Sequence, residues 1–125
     1  MGENREYLTM EKENGSVNIA EDVVASIAAL AVQEVEGVCG MAGVSSELSE
    51  FLNSKKNPNK GVKLTRDGDD VIIDCNVILY YGNSIAEIAK AVQQKVAASI
   101  QAMTGLCVKA VNVHVSGINL AKKEP

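Results

Sequence analysis

The amino-acid sequence predicts an α+β fold, a small mixed β-sheet with two main helices packed on one of its faces. Two segments, near 21–36 and 84–104, repeat apolar residues at helical spacing, while the segments around them alternate apolar and polar residues as strands do. The chain has 125 residues, 46% of them apolar, which suits one domain with one continuous core. The predicted order of elements is β-α-(β)-short α-β-β-α-β.

The first strand leads directly into the first main helix. Val17 and Ile19 alternate with polar residues, and the period then becomes helical. Glu21 and Asp22 fall in the first turn, where carboxylates suit the positive end of the helix dipole, and Gly37 is a suitable stop. The expected apolar stripe of this helix comprises Val24, Ala28, Ala31 and Val35, with Val23 and Ile27 beside it.

Residues 38–60 are predicted to hold a brief strand, a short helix and a loop. The strand is the apolar "VCGM" at 38–41. Leu48, Phe51 and Leu52 have the i, i+3, i+4 spacing of a small amphipathic helix. The Asn, Pro and Lys residues that follow are typical of a loop.

A β-hairpin is predicted over residues 61–82, with "RDGDD" as its turn because Asp-Gly accepts the positive φ angles of tight turns. The first arm carries Val62 and Leu64. One face of the second arm is expected to be buried and consists of Val71, Ile73, Cys75, Val77, Leu79 and Tyr81. The other face carries Ile72, Ile78 and Tyr80 beside Asp74 and Asn76, and it is more apolar than a free sheet surface requires.

The second main helix has the clearest local signature, since Ser84 and Glu87 fit a capping box and Gly105 closes the helix. Its expected apolar stripe comprises Ile85, Ile88, Ala89, Val92, Val96, Ile100 and Met103. In the last strand three valines alternate with polar residues, so the valine face should pack on the helices. The valines are Val111, Val113 and Val115, and the polar residues are Asn112, His114 and Ser116.

These elements place a single domain at residues 15–118. Outside the domain lie a polar segment at 1–14, part of which could be ordered, and a short polar tail at 119–125. The N-terminal residues are mixed in charge and do not resemble a secretory signal. The longest apolar stretch, 23–32, is shorter than the roughly 20 residues that a membrane span needs, so any link to a membrane is expected to be peripheral or through a partner.

Composition argues against several classes of function. Lys and Arg total 12 against 16 for Asp and Glu, the net charge is −4, and there is no Trp, so nucleic-acid binding is not expected. Cys39, Cys75 and Cys107 follow no CxxC or Cys/His spacing, which predicts reduced thiols and neither a disulfide framework nor a zinc site. No cofactor is predicted, and whether the thiols have a redox role stays open.

His114 is the sole histidine and the first candidate for chemistry. The period-two pattern places it on the polar face of its strand, and Asp74 or Tyr80 could be its neighbours if the strands adjoin. A catalytic histidine needs a nucleophile or an orienting carboxylate within reach, and the sequence names no such pair. An outward-facing strand residue is therefore the favoured interpretation.

Two clusters of charged residues, one acidic and one basic, are also explained without a binding site. Asp67, Asp69 and Asp70 could hold a hard cation, but a calcium loop needs further oxygen ligands and a distal Glu, so a solvated turn is favoured. A basic run contains Lys55, Lys56, Lys60 and Lys63 and adjoins the short helix. It could touch anionic lipid or a partner, although a solvated loop is the simpler interpretation.

Several stretches together resemble the alkaline shock protein family, the Gls-type envelope stress response proteins of Gram-positive bacteria. The resemblance covers about residues 15–118. Its most specific parts are "EVEGV" after the first helix, "YGNSI" before the second, and "MTGL" with "VNVHV" at the end. The segment "SSELSEFLNSKKNPNKG" differs from the longer glycine-rich form expected for the family.

The resemblance implies a non-enzymatic cytosolic protein that associates with itself and with a small membrane-anchored protein at the inner face of the cell membrane. It carries over no catalytic residue. We therefore predict a scaffold or adaptor of the envelope stress response. Its candidate interaction surface is Ile72, Ile78, Tyr80, Asn112 and His114, and a secondary candidate surface is Leu48, Phe51, Leu52, Lys55 and Lys56.

Two alternatives stay open. A small-ligand binder or enzyme would use the sheet face around His114, and it requires His114, Asp74 and Tyr80 to converge in a pocket. An RNA-binding module is the second alternative, which rests on the fold class alone and would need a basic groove.

Overall fold

The computed structural model describes residues 7–41 and 61–120 and confirms the α+β class. The predicted short helix and the loop after it lie outside the described residues. The elements are β1 Tyr7–Lys12, β2 Gly15–Ala20, α1 Glu21–Gln33, β3 Val38–Met41, β4 Val62–Asp67, β5 Asp70–Tyr80, α2 Ile85–Thr104 and β6 Cys107–Asn119.

Strand β1 is absent from the predicted order of elements. It pairs antiparallel with β2, Met10 opposite Val17, to form a separate two-stranded sheet. Leu8 is buried in the main core and Met10 packs against that core. The alternation of Leu8 and Met10 with polar residues was the available signal, but it spans too few apolar positions to stand out among charged neighbours.

Strand β5 is the centre of the four-stranded mixed sheet. It pairs antiparallel with β4 through residues 70–75 and with β3 through residues 77–79. It pairs parallel with β6 along residues 70–80. Because a strand has two edges, β4 and β3 share one edge of β5, one after the other, and β6 occupies the opposite edge.

The core lies between this sheet and the two helices. The inward residues of β5 from Val71 to Leu79 are at most 1% exposed. Both helices face them through residues that the apolar stripes predict, namely Val24, Ile27, Ala28 and Ala31 of α1 and Ile88, Val92, Val96 and Ile100 of α2. Val111 of β6 is buried in this core, and Val113 and Val115 pack against it, which confirms the prediction for the valine face.

Four residues predicted on buried faces are exposed instead. Ile85 is 47% and Met103 70% exposed, because they lie in the first and last turns of α2, beyond the stretch that covers the sheet. Val23 is 48% exposed and lies on the outer side of α1 with Leu30. Tyr81 is 58% exposed because β5 ends one residue before it.

The ends of the helices follow local chemistry. The Ser84 hydroxyl accepts a hydrogen bond from the Glu87 backbone N–H at 3.3 Å, and Gly105 ends α2 in the left-handed conformation, as predicted. Helix α1 ends at Gln33, earlier than Gly37. Gly37 instead lies in the turn to β3 with a φ of 100°, at a position where an added Cβ would meet the Ile88 side chain of α2.

Candidate functional site

The four-stranded sheet has a second face, which we call the open face. The strand pairings place on it Lys63 and Thr65 of β4, Ile72, Asp74, Asn76, Ile78 and Tyr80 of β5, and Ala110, Asn112, His114 and Asn119 of β6. Both described helices pack on the other face. Each of these β5 side chains is only partly buried, whereas the β5 residues between them are fully buried. All five residues of the first predicted interaction surface lie on the open face.

Asp74 joins two polar side chains of β6 at the centre of the open face. Its Oδ1 accepts a hydrogen bond from Asn112 Nδ2 at 3.1 Å, and His114 Nε2 lies 3.1 Å from the same oxygen. The parallel register causes this contact, since Asp74 is opposite Asn112 and Asn76 is opposite His114. The structure therefore brings together His114 and one of its two anticipated neighbours.

The charges around Asp74 favour its ionised form. The hydrogen bond with His114 lowers the pKa of Asp74 below its ordinary value, partial burial acts in the opposite direction, and the Asn112 hydrogen bond and the Lys63 charge also lower the pKa. Lys63, Asp74, Asn76 and His114 line a shallow depression of about 370 Å³. Its groups can orient a polar ligand or a polar side chain of another protein.

Tyr80 lies away from this cluster, at one end of the open face. It is roughly 20 Å from Asp74 at the usual rise per strand residue. The pKa of Tyr80 is raised, chiefly by the electrostatic effect of the neighbouring Cys39 sulfur and by a hydrogen bond to it. Cys39 in turn accepts a hydrogen bond from Asn119 Nδ2 at 3.2 Å. The three side chains His114, Asp74 and Tyr80 therefore do not converge in one pocket, and only His114 and Asp74 share the depression.

The apolar side chains of the open face flank its polar centre. Ile72 lies between Thr65 and Ala110 on the neighbouring strands, on one side of Asp74. Ile78 lies on the other side, over Gly117, and Tyr80 follows it. The face thus has an apolar patch at each end and a hydrogen-bonded polar cluster between them.

The acidic turn has the structure predicted for it. Asp67 and Asp70 are paired at the end of the β4–β5 hairpin, and Gly68 between them has a φ of 66°. The Asp67 carboxylate forms an ion pair with Lys109 of β6. Within the ranges 7–41 and 61–120, no three His, Cys, Asp or Glu side chains are grouped so that they could hold a metal ion.

The three cysteines are free thiols in different surroundings. Cys75 is buried beneath the helices, and this burial, with the nearby charge of Asp74, raises the pKa of Cys75 to about 12. Cys107 is exposed. Cys39 is partly buried on the open face, and its contact with Asn119 was not predicted because residues so distant in sequence leave no local pattern.

The secondary candidate surface, Leu48, Phe51, Leu52, Lys55 and Lys56, lies outside the described residues. Of the basic run, Lys63 is described and borders the polar cluster. Neither α1 nor α2 is long and apolar enough to cross a membrane, and these are the two helices that the described residues contain.

Comparison with known proteins identifies a family. Residues 9–120 match the alkaline shock protein 23 family, described as having a cell envelope-related function. The uncharacterized protein YloU of Bacillus subtilis is 34% identical over 109 residues, which cover 85% of this chain and 90% of YloU. The uncharacterized protein YqhY of the same organism is 34% identical over 111 residues, 87% of this chain and 81% of YqhY.

A solved structure titled MamM CTD, copper form, has a limited similarity of fold. The TM-score is 0.49 at 14% identity, and the similarity covers 82% of this chain and 91% of that one. The family match, by contrast, spans most of the chain and confirms the resemblance that the sequence motifs indicate. This chain belongs to the alkaline shock protein 23 family.

Proposed function

We propose that this protein is a non-enzymatic scaffold or adaptor of the envelope stress response, which binds a small membrane-anchored protein and other copies of itself from the cytosolic side. The family supports the envelope-related part of this role. The main observation in support of partner binding and self-association is the open face of the sheet. Two helices cover the opposite face, whereas apolar side chains of the open face stay partly exposed.

The chemistry of the open face suits a protein partner. Ile72 at one end, with Ile78 and Tyr80 at the other, offers apolar area whose removal from water favours association. The Asp74 cluster between them supplies hydrogen-bonding groups that would fix the orientation of the partner. A protein surface with apolar patches around a polar centre can satisfy both parts of this face at once.

The same cluster supports a non-enzymatic role. His114 and Asp74 resemble the base and the orienting carboxylate of a catalytic site, but Tyr80 is distant and the depression beside them is shallow. Catalysis by such a pair requires a reacting group in hydrogen-bond reach and a site that excludes water. An open sheet face provides little shelter from water.

Binding of a small ligand at the depression is a second candidate function. The contact between His114 and Asp74 favours it, because it sets the orientation of the imidazole ring. An NMR titration with small carboxylates and phosphates would support this candidate if the His114 resonances shifted to saturation. No saturable shift would leave protein binding as the better account of the cluster.

Site-specific photo-crosslinking in living cells tests the proposed function. Benzoylphenylalanine in place of Ile72 should crosslink to a small membrane protein, because this position faces outward on the open face. The matched control is the same substitution at Leu30, which is 64% exposed on the outer side of α1. Equal crosslinking from the two positions, or none from position 72, would contradict the proposal.

A further inference from the structure

Strand β6 has one edge paired with β5 and, among the described residues, no strand on its other edge, the outer edge. The strand is 13 residues long, which is about twice the usual length of five to six. The unpaired N–H and C=O groups of a long edge are a template for another strand. This edge is therefore a candidate for association through backbone hydrogen bonds.

The hydrogen bonds of β5 establish which residues of β6 point outward. The Asn76 N–H bonds to Gly61 O, so the backbone of Asn76 faces the β4 side and that of Cys75 faces β6. In a parallel ladder Cys75 then bonds to Asn112 and His114, which leaves the backbone groups of Val113 directed outward. The same alternation directs those of Val111 and Val115 outward.

A side chain of α2 supports this assignment independently. Gln93 Nε2 donates a hydrogen bond to the Val111 backbone O at 3.0 Å. This carbonyl therefore points away from β5 and accepts from a side chain, in the direction from which a neighbouring strand would donate. A carbonyl oxygen has two lone pairs and can accept a second hydrogen bond. The contact with Gln93 is therefore compatible with a strand added at this edge.

Between its two register irregularities, at Lys109 and at Ser116, the outer edge of β6 lacks the features that usually prevent pairing. Lys109 is its one Lys, Arg, Asp or Glu and it contains no Pro, whereas the shorter β4 at the opposite side of the sheet carries Lys63, Arg66 and Asp67. Val113 and Val115 are only partly buried, although their β5 neighbours Cys75 and Val77 are fully buried. A strand beside β6 would cover these valines.

The apolar-polar pattern of β6 is symmetric about Val113, since residues 111–115 are Val-Asn-Val-His-Val. We propose that the outer edge of β6 pairs antiparallel with β6 of a second copy of this chain, with Val113 on the two-fold axis. Val111 is then opposite Val115 of the second copy, and Asn112 is opposite its His114. Valines meet on the helix side, an amide meets an imidazole on the open face, and no like charges oppose one another.

This pairing rests on the self-association in the proposed function and gives it a location and a geometry. The two sheets join into one, so the open faces of the two copies become continuous and lie side by side. A membrane-anchored partner with two copies of its own binding segment would then contact both faces.

Charge substitutions at positions 112 and 114 test the pairing. A basic variant carries Asn112→Lys with His114→Lys, and an acidic variant carries Asn112→Glu with His114→Glu. In the proposed register each variant places like charges opposite one another, so its dimer should dissociate at least about tenfold more readily. An equimolar mixture should restore the dimer, because Lys then faces Glu at every such pair.

Analytical ultracentrifugation of the full chain measures the outcome. The wild type should sediment at about twice 13.2 kDa, each variant alone near 13.2 kDa, and the mixture again as a dimer. The matched control, Lys63→Glu with Thr65→Glu, adds acidic charge to the open face on β4 and should leave the dimer intact. A monomeric wild type, or variants that still associate, would overturn the proposal.

Hydrogen exchange covers the case in which a charged variant fails to fold. The outward amides of Val113 and Val115 should exchange more slowly as wild-type concentration rises, and concentration-independent exchange would also overturn the pairing. The photo-crosslink from position 72 to a membrane protein separates the two proposals. If the crosslink persists while β6 proves unpaired, the adaptor function stands and the β6 dimer does not.

Discussion

The pair formed by Asp74 and His114 shows how a contact can matter for orientation while adding little to stability. The His114 side chain is 54% exposed and that of Asp74 27%, so solvent screens their attraction. Surface ion pairs of this kind contribute less than about 1 kcal/mol. The main effect of the contact is to fix the imidazole ring and to keep the carboxylate ionised, which suits a recognition surface.

His114→Ala should raise the pKa of Asp74 toward its ordinary value of 3.8, because it removes the largest cause that lowers the pKa. A carboxyl group with a lowered pKa stabilises the fold above its unfolded pKa, and this contribution is lost as pH falls through the folded pKa. The cost of His114→Ala should therefore shrink below about pH 3.8. NMR titration of the Asp74 carboxyl carbon measures the change.

Asn76→Ala is the control for this substitution, since Asn76 lines the same depression on the same face. It should leave the pKa of Asp74 closer to the wild-type value than His114→Ala does. If His114→Ala leaves the pKa of Asp74 unchanged, the contact seen in the structure does not control the carboxylate.

At the scale of elements, local signals were predictable and distant pairings were not. Ser84 and Gly105 mark the ends of α2 because capping depends on neighbouring residues alone. The alternation in β5 and β6 correctly separates the buried face from the open face. The contact of His114 with Asp74 also depends on the parallel register of β5 and β6 across 40 positions of sequence, which no local pattern contains.

The turn between α1 and β3 allows a test of packing between elements. A Cβ on Gly37 would come within 2.6 Å of Ile88 Cδ1, and the backbone there has a φ of 100°. Gly82 has a similar φ of 107° with no atom within 4 Å of an added Cβ. Gly82→Ala should cost about 1–2 kcal/mol from backbone strain, and Gly37→Ala a further 1–3 kcal/mol from overpacking.

Urea denaturation of both variants measures these free energies of unfolding. The difference between the two substitutions isolates the contact with Ile88, because both have the backbone cost in common. Equal destabilisation would mean that Ile88 moves aside freely and that the turn is not packed tightly against α2.

At the scale of the whole molecule, the fold separates stability from recognition. The helices and one face of the sheet form the core, while the open face and the outer edge of β6 are directed away from that core. The sequence predicted the fold class, the family and the side of the sheet on which the candidate residues lie. It could not predict that Asp74 of β5 contacts both Asn112 and His114 of β6, because that arrangement depends on how the two strands align.

Binding of a protein partner to the open face can be measured by affinity capture of a tagged chain from gently solubilised, nuclease-treated native cells. Ile72→Lys places a charge on the open face, and Leu30→Lys makes the same change at an exposed position of α1. We expect the wild type and Leu30→Lys to recover a small membrane protein in stoichiometric amounts and Ile72→Lys not to recover it. Equal recovery by the two variants, or no such protein with the wild type, would mean that the open face does not bind this partner.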